Sequence, residues 1–333
     1  LLELGVEDHH YLVLTHAGPT SSGLSGRGRS AAGGLTASPA GAERPRVPRT
    51  RPVAEIVLHR IGPRLVCEDR RVRIATWNIN SVGARLPRLL DWLASAAPDV
   101  LALQELKCTS ADFPSAAVAE LGYEVAAHGD GRWNGVALLS RIGLSEVTID
   151  LPGAPGFPEH QIEPRAIGAT CGNVRIWSLY VPNGREPGHP HYEYKLAWLA
   201  KLASLTFAEL AAAPNRPFAL VGDFNVAPTD DDVWDPAAFS DATHVTPAER
   251  AALAKVRAQG LVDVNPRALK GAPYTFWDYR GGAFHKGQGM RIDLIYANAG
   301  FAAAVKDTFI DREARKGAGA SDHAPVVVDL ELV

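Results

Sequence analysis

Cysteine is scarce in this chain, and its scarcity sets the first limits. Only Cys67, Cys108 and Cys171 occur in 333 residues. Their spacing matches neither a zinc site nor a redox pair, so they read as reduced thiols of a cytosolic protein. Long apolar runs are missing too. The most apolar stretch, residues 196–213, carries Lys201 and Glu209 and reads as a helix packed on a surface, not a membrane span. The opening residues, LLELGVEDHH, lack the basic start and apolar centre of a signal peptide. Nor is there an excess of positive charge: the formal net charge is −3. Residues 1–71 hold ten arginines against seven acidic residues, so the remainder carries −6. An acidic body argues mildly against holding nucleic acid by bulk attraction. Acidic residues gathered around a bound cation are locally neutral, however, so nucleic acid stays open as a partner.

What is present is the composition of a globular protein, 46% hydrophobic and 21% charged. Residues 1–71 differ from the rest. They include GPTSSGLSGRGRSAAGGLTASPAGAERPRVPRTRP, rich in Gly, Ser, Pro and Arg with little to bury, and read as a disordered tail. A basic arm that touches nucleic acid is the alternative. The patterned sequence begins abruptly at Val72, and the one methionine is Met290. The expectation is that translation starts at or near Val72; an intact mass that includes the tail would refute it.

From Val72 onward, strand-like and helix-like runs interleave. Residues 73–77, 100–103, 135–140, 166–171, 174–181, 218–221, 292–296 and 324–330 read as strands. Residues 85–96, 192–212 and 247–259 read as helices, the first with Leu86, Leu89, Leu90 and Leu93 on one face. TPAER at 246–250 offers Thr246 as N-cap and Pro247 at the first helical position. Runs 166–171 and 174–181 face each other across a Gly-Asn turn as a hairpin. The mix predicts a single α/β domain over 72–333, with sheets that are not purely parallel and helices outside.

The polar residues collect at strand ends, where rigid elements hold functional groups. TWNIN supplies Asn78 and Asn80; LQELK supplies Gln104, Glu105 and Lys107; LYVPNG supplies Tyr180 and Asn183; VGDFN supplies Asp223 and Asn225; SDH supplies Asp322 and His323. Taken singly, such Asn and Asp residues often only hold turns, and a lone Tyr180 or His323 reads as an interior side chain. Asp293 is harder to dismiss. It stands between Ile292 and Leu294 inside an apolar strand, where a carboxylate is costly unless paired, and a histidine suits it. Glu105, Asp223 and Asp322, with the amide oxygens of Asn78 and Asn225, form a set of hard oxygen ligands without a Cys or His cluster. Such a set suits Mg²⁺ or Mn²⁺, not zinc. A metal of this kind beside a His–Asp pair is equipped for phosphate-ester hydrolysis.

Seven motifs in order, IATWNINSV, LALQELKC, YVPNGRE, VGDFNVAP, TFWDYR, GMRIDLIYA and SDHAPV, span residues 74–326. On these the chain resembles the exonuclease III family of apurinic/apyrimidinic (AP) endonucleases, within the endonuclease/exonuclease/phosphatase superfamily. The resemblance implies a four-layer, deoxyribonuclease I-like α/β sandwich: two packed mixed sheets flanked by helices. It implies that Glu105 is the main Mg²⁺ ligand with Asn78 nearby, and that Asp322 lies at a second metal or water position. Asp223 would activate water, and Asn225 would hold the phosphate or the water. His323, held by Asp293, would contact the scissile phosphate, and Tyr180 the phosphate or the leaving oxygen. Asn80, Lys107 and Asn183 fall on the DNA side. Phe276, Met290 and Ile292, with Trp277 adjacent, fall on the apolar pocket for the base-less sugar. Two positions depart from the family: Leu106 stands where Thr is common, and Asn80 where some relatives have Asp, which weakens a second metal site.

The activity so implied is a Mg²⁺-dependent phosphodiesterase of base excision repair. It would be a cytoplasmic monomer, nucleoid-associated when on DNA, that acts on duplexes with abasic sites or 3′ blocks. It would incise 5′ to the lesion, clean 3′ ends and degrade from 3′ ends. Two alternatives remain at this level. One is another branch of the superfamily, a less selective deoxyribonuclease or an inositol or lipid phosphatase. The other is a non-catalytic DNA-binding relative.

Overall fold

The computed structural model describes residues 70–158 and 161–332. The readings for residues 1–69, including the disordered tail, lie outside the described residues. The first described strand, β1 (Arg70–Asn78), begins two residues ahead of Val72.

Twelve further strands follow: β2 (Val100–Gln104), β3 (Glu124–His128), β4 (Val136–Ser140), β5 (Ser145–Ile149), β6 (Ala166–Cys171), β7 (Val174–Tyr180), β8 (Phe218–Asp223), β9 (Val262–Asp263), β10 (Arg267–Ala268), β11 (Asp293–Ala297), β12 (Val305–Ile310) and β13 (Val326–Leu332). The helices are α1 (Val82–Ala96), α2 (Ser115–Ala119), α3 (Pro190–Ala212), α4 (Pro247–Arg257), α5 (Ala283–Lys286) and α6 (Ala299–Ala304). One sheet has seven strands in the order β10-β12-β13-β1-β2-β4-β3, and the other has six in the order β5-β6-β7-β8-β11-β9. Both are mixed: β1 runs parallel to β2 and β7 to β8, whereas β13 and β11 run antiparallel to their neighbours.

The sandwich follows from the pleat. Successive side chains of a strand point to opposite faces. In β1, Ile74 enters the core between the sheets, while Ala75 and Trp77 pack outward with Leu89, Trp92 and Leu93 of α1. In β8, Ala219 and Val221 face the other sheet, and Phe218 and Leu220 pack outward with Trp198, Leu199 and Leu202 of α3 and Leu253 of α4. Each central strand is therefore apolar on both faces, which is why these strands read as near-continuous hydrophobic runs. The expected two sheets flanked by helices are what the chain forms.

Helix starts follow their sequence signals. Thr246 and Glu249 form a reciprocal capping box at α4, with Pro247 in the first turn. The turn between β6 and β7 places Gly172 at φ +61°, a conformation open to glycine. Strands β3, β5, β9, β10 and β12 were not expected: β3, β5, β9 and β10 are short edge strands, and EVAAH of β3 has little β-forming composition. Among the described residues no helix is long and apolar enough to cross a membrane.

Candidate active site

The same alternation that builds the core also builds the site. Continuing the inward parity of each strand to its end brings Asn78 after Ile74 and Thr76, Tyr180 after Ile176 and Ser178, and Asp223 after Ala219 and Val221. At the start of β11, Asp293 shares parity with Ile295. The C-terminal ends of β1, β2, β7 and β8 and the start of β11 meet at one end of the sandwich. Asn78 lies opposite Gln104 across the β1–β2 pair, and Asp223 lies opposite both Tyr180 and Asp293.

Backbone geometry at this rim is unusual. Asn80, Ser81, Glu105, Lys107 and Asn225 all have positive φ, between 48° and 84°. Non-glycine residues in that region cost roughly 1–2 kcal/mol each and persist where surrounding structure holds them. Here the holding bonds are plain: Ser81 N–H donates to Glu105 O, Leu106 N–H to Gly135 O and Lys107 N–H to Asn134 O. Leu106, the departure from the family pattern, is fully buried in the core under α1.

Glu105, Asp223 and His323 converge, with one ligand atom from each inside a 4.8 Å cluster. Asn78 Nδ2 bridges the two carboxylates, donating to Glu105 Oε1 at 2.9 Å and to Asp223 Oδ2 at 3.0 Å. His323 Nδ1 meets Asp293 Oδ2 at 2.7 Å, and its Nε2 faces Asp223 Oδ2 at 3.8 Å. The pairing expected for Asp293 is thus present, and both partners are buried. Burial opposes the charge on His323, yet Asp293 and Asp223 outweigh it and raise its pKa to about 10. Burial lifts Asp223 to about 7; His323 pulls against that, and the Asp293 and Glu105 charges add to it. Burial and then Glu105 hold the Tyr180 phenol well above its ordinary range, and Arg165, 4.7 Å over its ring, offsets this only in part.

The donor set fits a divalent cation. Two carboxylates, Glu105 and Asp223, converge on one place, and a cation there would offset both the burial of Asp223 and the Glu105 charge that adds to it. Two expected oxygen donors are otherwise engaged. Asn78 presents its amide nitrogen to the carboxylates, and its Oδ1 accepts from the Asn80 backbone N–H at 3.0 Å. Asn225 Nδ2 donates to Val181 O at 2.9 Å, and its Oδ1 accepts from Asn183 Nδ2 at 3.3 Å. Asp322 stands outside the three-residue cluster and accepts from Asn80 Nδ2 at 2.9 Å. Lys107 reaches both Asn80 Oδ1 at 2.6 Å and Glu105 Oε2 at 3.0 Å, which ties the expected DNA-side residues to the carboxylates.

Of the expected apolar pocket, Phe276 lies against the His323 ring at 4.9 Å between centroids and remains partly exposed. Met290 and Ile292 are buried in one small cluster with it. Trp277 differs: next to Phe276 on an extended segment, it packs edge-on against Phe284 in the core and is 1% exposed. The physical reason is the same alternation, which sends neighbours to opposite sides.

Sequence reasoning missed the buried support of the site. Lys195 of α3 and Glu249 of α4 are both fully buried and ion-paired. Lys195 Nζ also donates to the backbone carbonyls of Asn225 at 2.7 Å and Asn183 at 3.1 Å, so one ammonium ties the ends of β7 and β8 together. A lysine within an apolar helical stretch was the available signal.

The sequence model of the endonuclease/exonuclease/phosphatase family matches residues 75–323, from β1 to the site histidine. The chain belongs to this family. Among solved structures, this family member is similar to a 3′ phosphatase, NExo from Neisseria, bound to a product DNA hairpin. The identity is 37%, the TM-score 0.73, and the match covers 78% of this chain and 99% of that one. An AP endonuclease from Archaeoglobus fulgidus is 32% identical with a TM-score of 0.72, over the same shares of each chain. The DNA repair nuclease APEX1 of Danio rerio is 28% identical over 292 residues, 84% of this chain and 90% of that protein.

Proposed function

We propose that this chain is a Mg²⁺-dependent DNA-repair phosphodiesterase that incises 5′ to abasic sites and clears 3′ ends. The observation that carries the proposal is the Glu105–Asp223–His323 cluster, Asp223 and His323 buried and Glu105 half-buried, backed by Asp293. It joins a carboxylate pair suited to a hard cation with a histidine that two carboxylates keep charged. Mg²⁺ suits the oxygen donors of Glu105 and Asp223, and Mn²⁺ is a reasonable substitute. When bound, the cation would neutralise charge on the scissile phosphate. Asp223, with a pKa near neutrality, orients the attacking water and takes its proton. His323, protonated and fixed by Asp293, hydrogen-bonds the phosphate oxygen where negative charge grows. Tyr180, held protonated, faces the leaving oxygen. Asn183 and Asn225 form a paired amide platform for the phosphate. Phe276, backed by Met290 and Ile292, offers an apolar wall to a sugar that carries no base, and flipping is cheapest where pairing is already lost.

One end-labelled duplex bearing an abasic analogue tests the reading, incubated with Mg²⁺ or with EDTA. The expected result is a metal-dependent fragment cut immediately 5′ to the lesion, whose length also reports any shortening from 3′ ends. Binding without nicking would overturn catalysis. Cleavage of inositol or lipid phosphates but not of DNA would move the chain to another branch of the family.

A further inference from the structure

A cavity of about 740 Å³ lies beside the candidate active site. Tyr279 joins the two: it lines the cavity, while its hydroxyl donates to Ala320 O at 2.8 Å and accepts from Arg85 Nη2 at 3.1 Å and Asn80 Nδ2 at 3.5 Å. The lining is strongly cationic, with Lys270, Arg312, Arg315 and Lys316 against one carboxylate, Asp278. That carboxylate is taken by Arg280 at 2.6 Å, and Lys316 is paired with Glu313 at 2.6 Å. Among the described residues neither Arg312 nor Arg315 is ion-paired. Arg312 lies 4.1 Å over the Phe284 ring and 5.4 Å over Trp277, and Arg315 lies 5.0 Å over both Phe284 and Tyr279. Each donates one bond to a backbone carbonyl, Arg312 to Phe284 O and Arg315 to Trp277 O, both at 3.2 Å. Arg315 is 8% exposed, and its buried Nε has no hydrogen-bond partner.

Aromatic stacking holds the two guanidiniums in place and leaves their charge available. Asp322 and Glu313 act on these cations only at a distance, and neither forms an ion pair with Arg312 or Arg315, so a buried guanidinium such as Arg315 keeps unmet capacity for an anion. Two guanidinium forks beside a flexible Lys270 match the oxygens of a phosphate. In a protein of net charge −3, a concave cationic site also focuses field on an approaching polyanion. We propose that this cavity binds a backbone phosphate of the DNA substrate, outside the scissile linkage. The assignment rests on the proposed DNA substrate; Trp277 acquires a role here as the floor beneath Arg312.

Binding of the abasic-analogue duplex in EDTA, over a range of KCl, tests it with the full chain. Cleavage plays no part in that measurement, so the cavity and the proposed reaction can fail separately. Arg312→Gln and, at an exposed position, Lys270→Gln are compared with Arg267→Gln, an exposed arginine paired with Asp307. The first two are expected to lower the slope of log affinity against log salt by about 0.9 each, the value for one phosphate contact, and Arg267→Gln to leave it unchanged. Arg312→Lys restores part of the slope. Unchanged slopes in both cavity variants overturn the proposal, as does an equal fall in Arg267→Gln, which would mean general attraction. Inorganic phosphate titrated into the same samples separates the sources. Weak competition supports the DNA backbone, whereas saturable Arg312-dependent phosphate binding with an unchanged DNA slope assigns the cavity to free phosphate and overturns the DNA assignment.

Discussion

His323 has two acidic neighbours with distinct effects. Asp293 grips Nδ1, sets the ring's orientation and supplies most of the field that keeps the imidazole charged; Asp223 stands 3.8 Å from Nε2 and shares the space into which a phosphate would fit. Asp293→Asn keeps the shape and removes the charge. It is expected to lower kcat for abasic-duplex incision by about two orders of magnitude. It should also shift the limb of the pH–rate profile that reports His323 to lower pH, because the raising influence is gone. His323→Ala and Asp223→Asn should each cost at least about a hundredfold. Near-normal turnover in any of these would refute the role given to that residue. The Asp–His pairing was legible in the sequence, because a carboxylate inside an apolar strand demands a partner. That Asn78 offers its nitrogen, not its oxygen, was not, since amide orientation is decided by the neighbouring Asn80 N–H and the two carboxylates.

At the scale of elements, β7 and β8 meet so closely that one position between them admits only glycine. Gly222 has φ +141°, and a Cβ there would collide with the Leu179 carbonyl oxygen. Gly222→Ala is expected to destabilise the fold by about 2–3 kcal/mol, read from the urea midpoint, through overpacking and backbone strain. An unchanged midpoint would contradict the close approach. The same two strand ends are tied by Lys195. Lys195→Met leaves Glu249 buried without its charge partner and removes one donor from each of two carbonyls, Asn183 O keeping Thr243 Oγ1 and Asn225 O keeping His244 Nδ1. The expected loss is about 3–5 kcal/mol, part of it recovered in the double variant Lys195→Met/Glu249→Leu. If the single and double variants unfold at the same denaturant concentration, the pair is not coupled as described. Helix α4 was recognisable from Thr246 and Pro247, yet those residues say nothing of Lys195. The second carboxylate oxygen of Glu249 reaches that ammonium only once α3 and α4 pack together.

For the molecule as a whole, acid sensitivity follows from a histidine outside the site. His191, in the first turn of α3, is buried, and its Nδ1 accepts from Gly184 N–H at 3.0 Å, which requires an unprotonated nitrogen there. Burial first, then the nearby Arg165 charge, depress its pKa to about 4. The unfolded chain binds this proton near pH 6.5 and the folded chain does not. The stability His191 contributes is therefore whole above about pH 6.5 and is lost as pH falls towards 4. Thermal unfolding followed from pH 7.5 to 4.5 should show Tm falling across that window, less steeply in His191→Gln. Equal slopes for the two proteins would remove His191 as a cause.

Strand alternation, the cap of α4, the costly carboxylate at Asp293 and the gathering of Asn, Asp and Glu at strand ends were set by the sequence alone, because each is a local consequence of residue type and period. Which of those ends meet is a property of two sheets folded face to face, and residues 78, 105, 223, 293 and 323 come together only there. Tertiary packing also sorted Phe276 from Trp277. Both read as pocket-forming aromatics, but adjacent side chains on an extended segment cannot share a face, so one reached the histidine and the other the core.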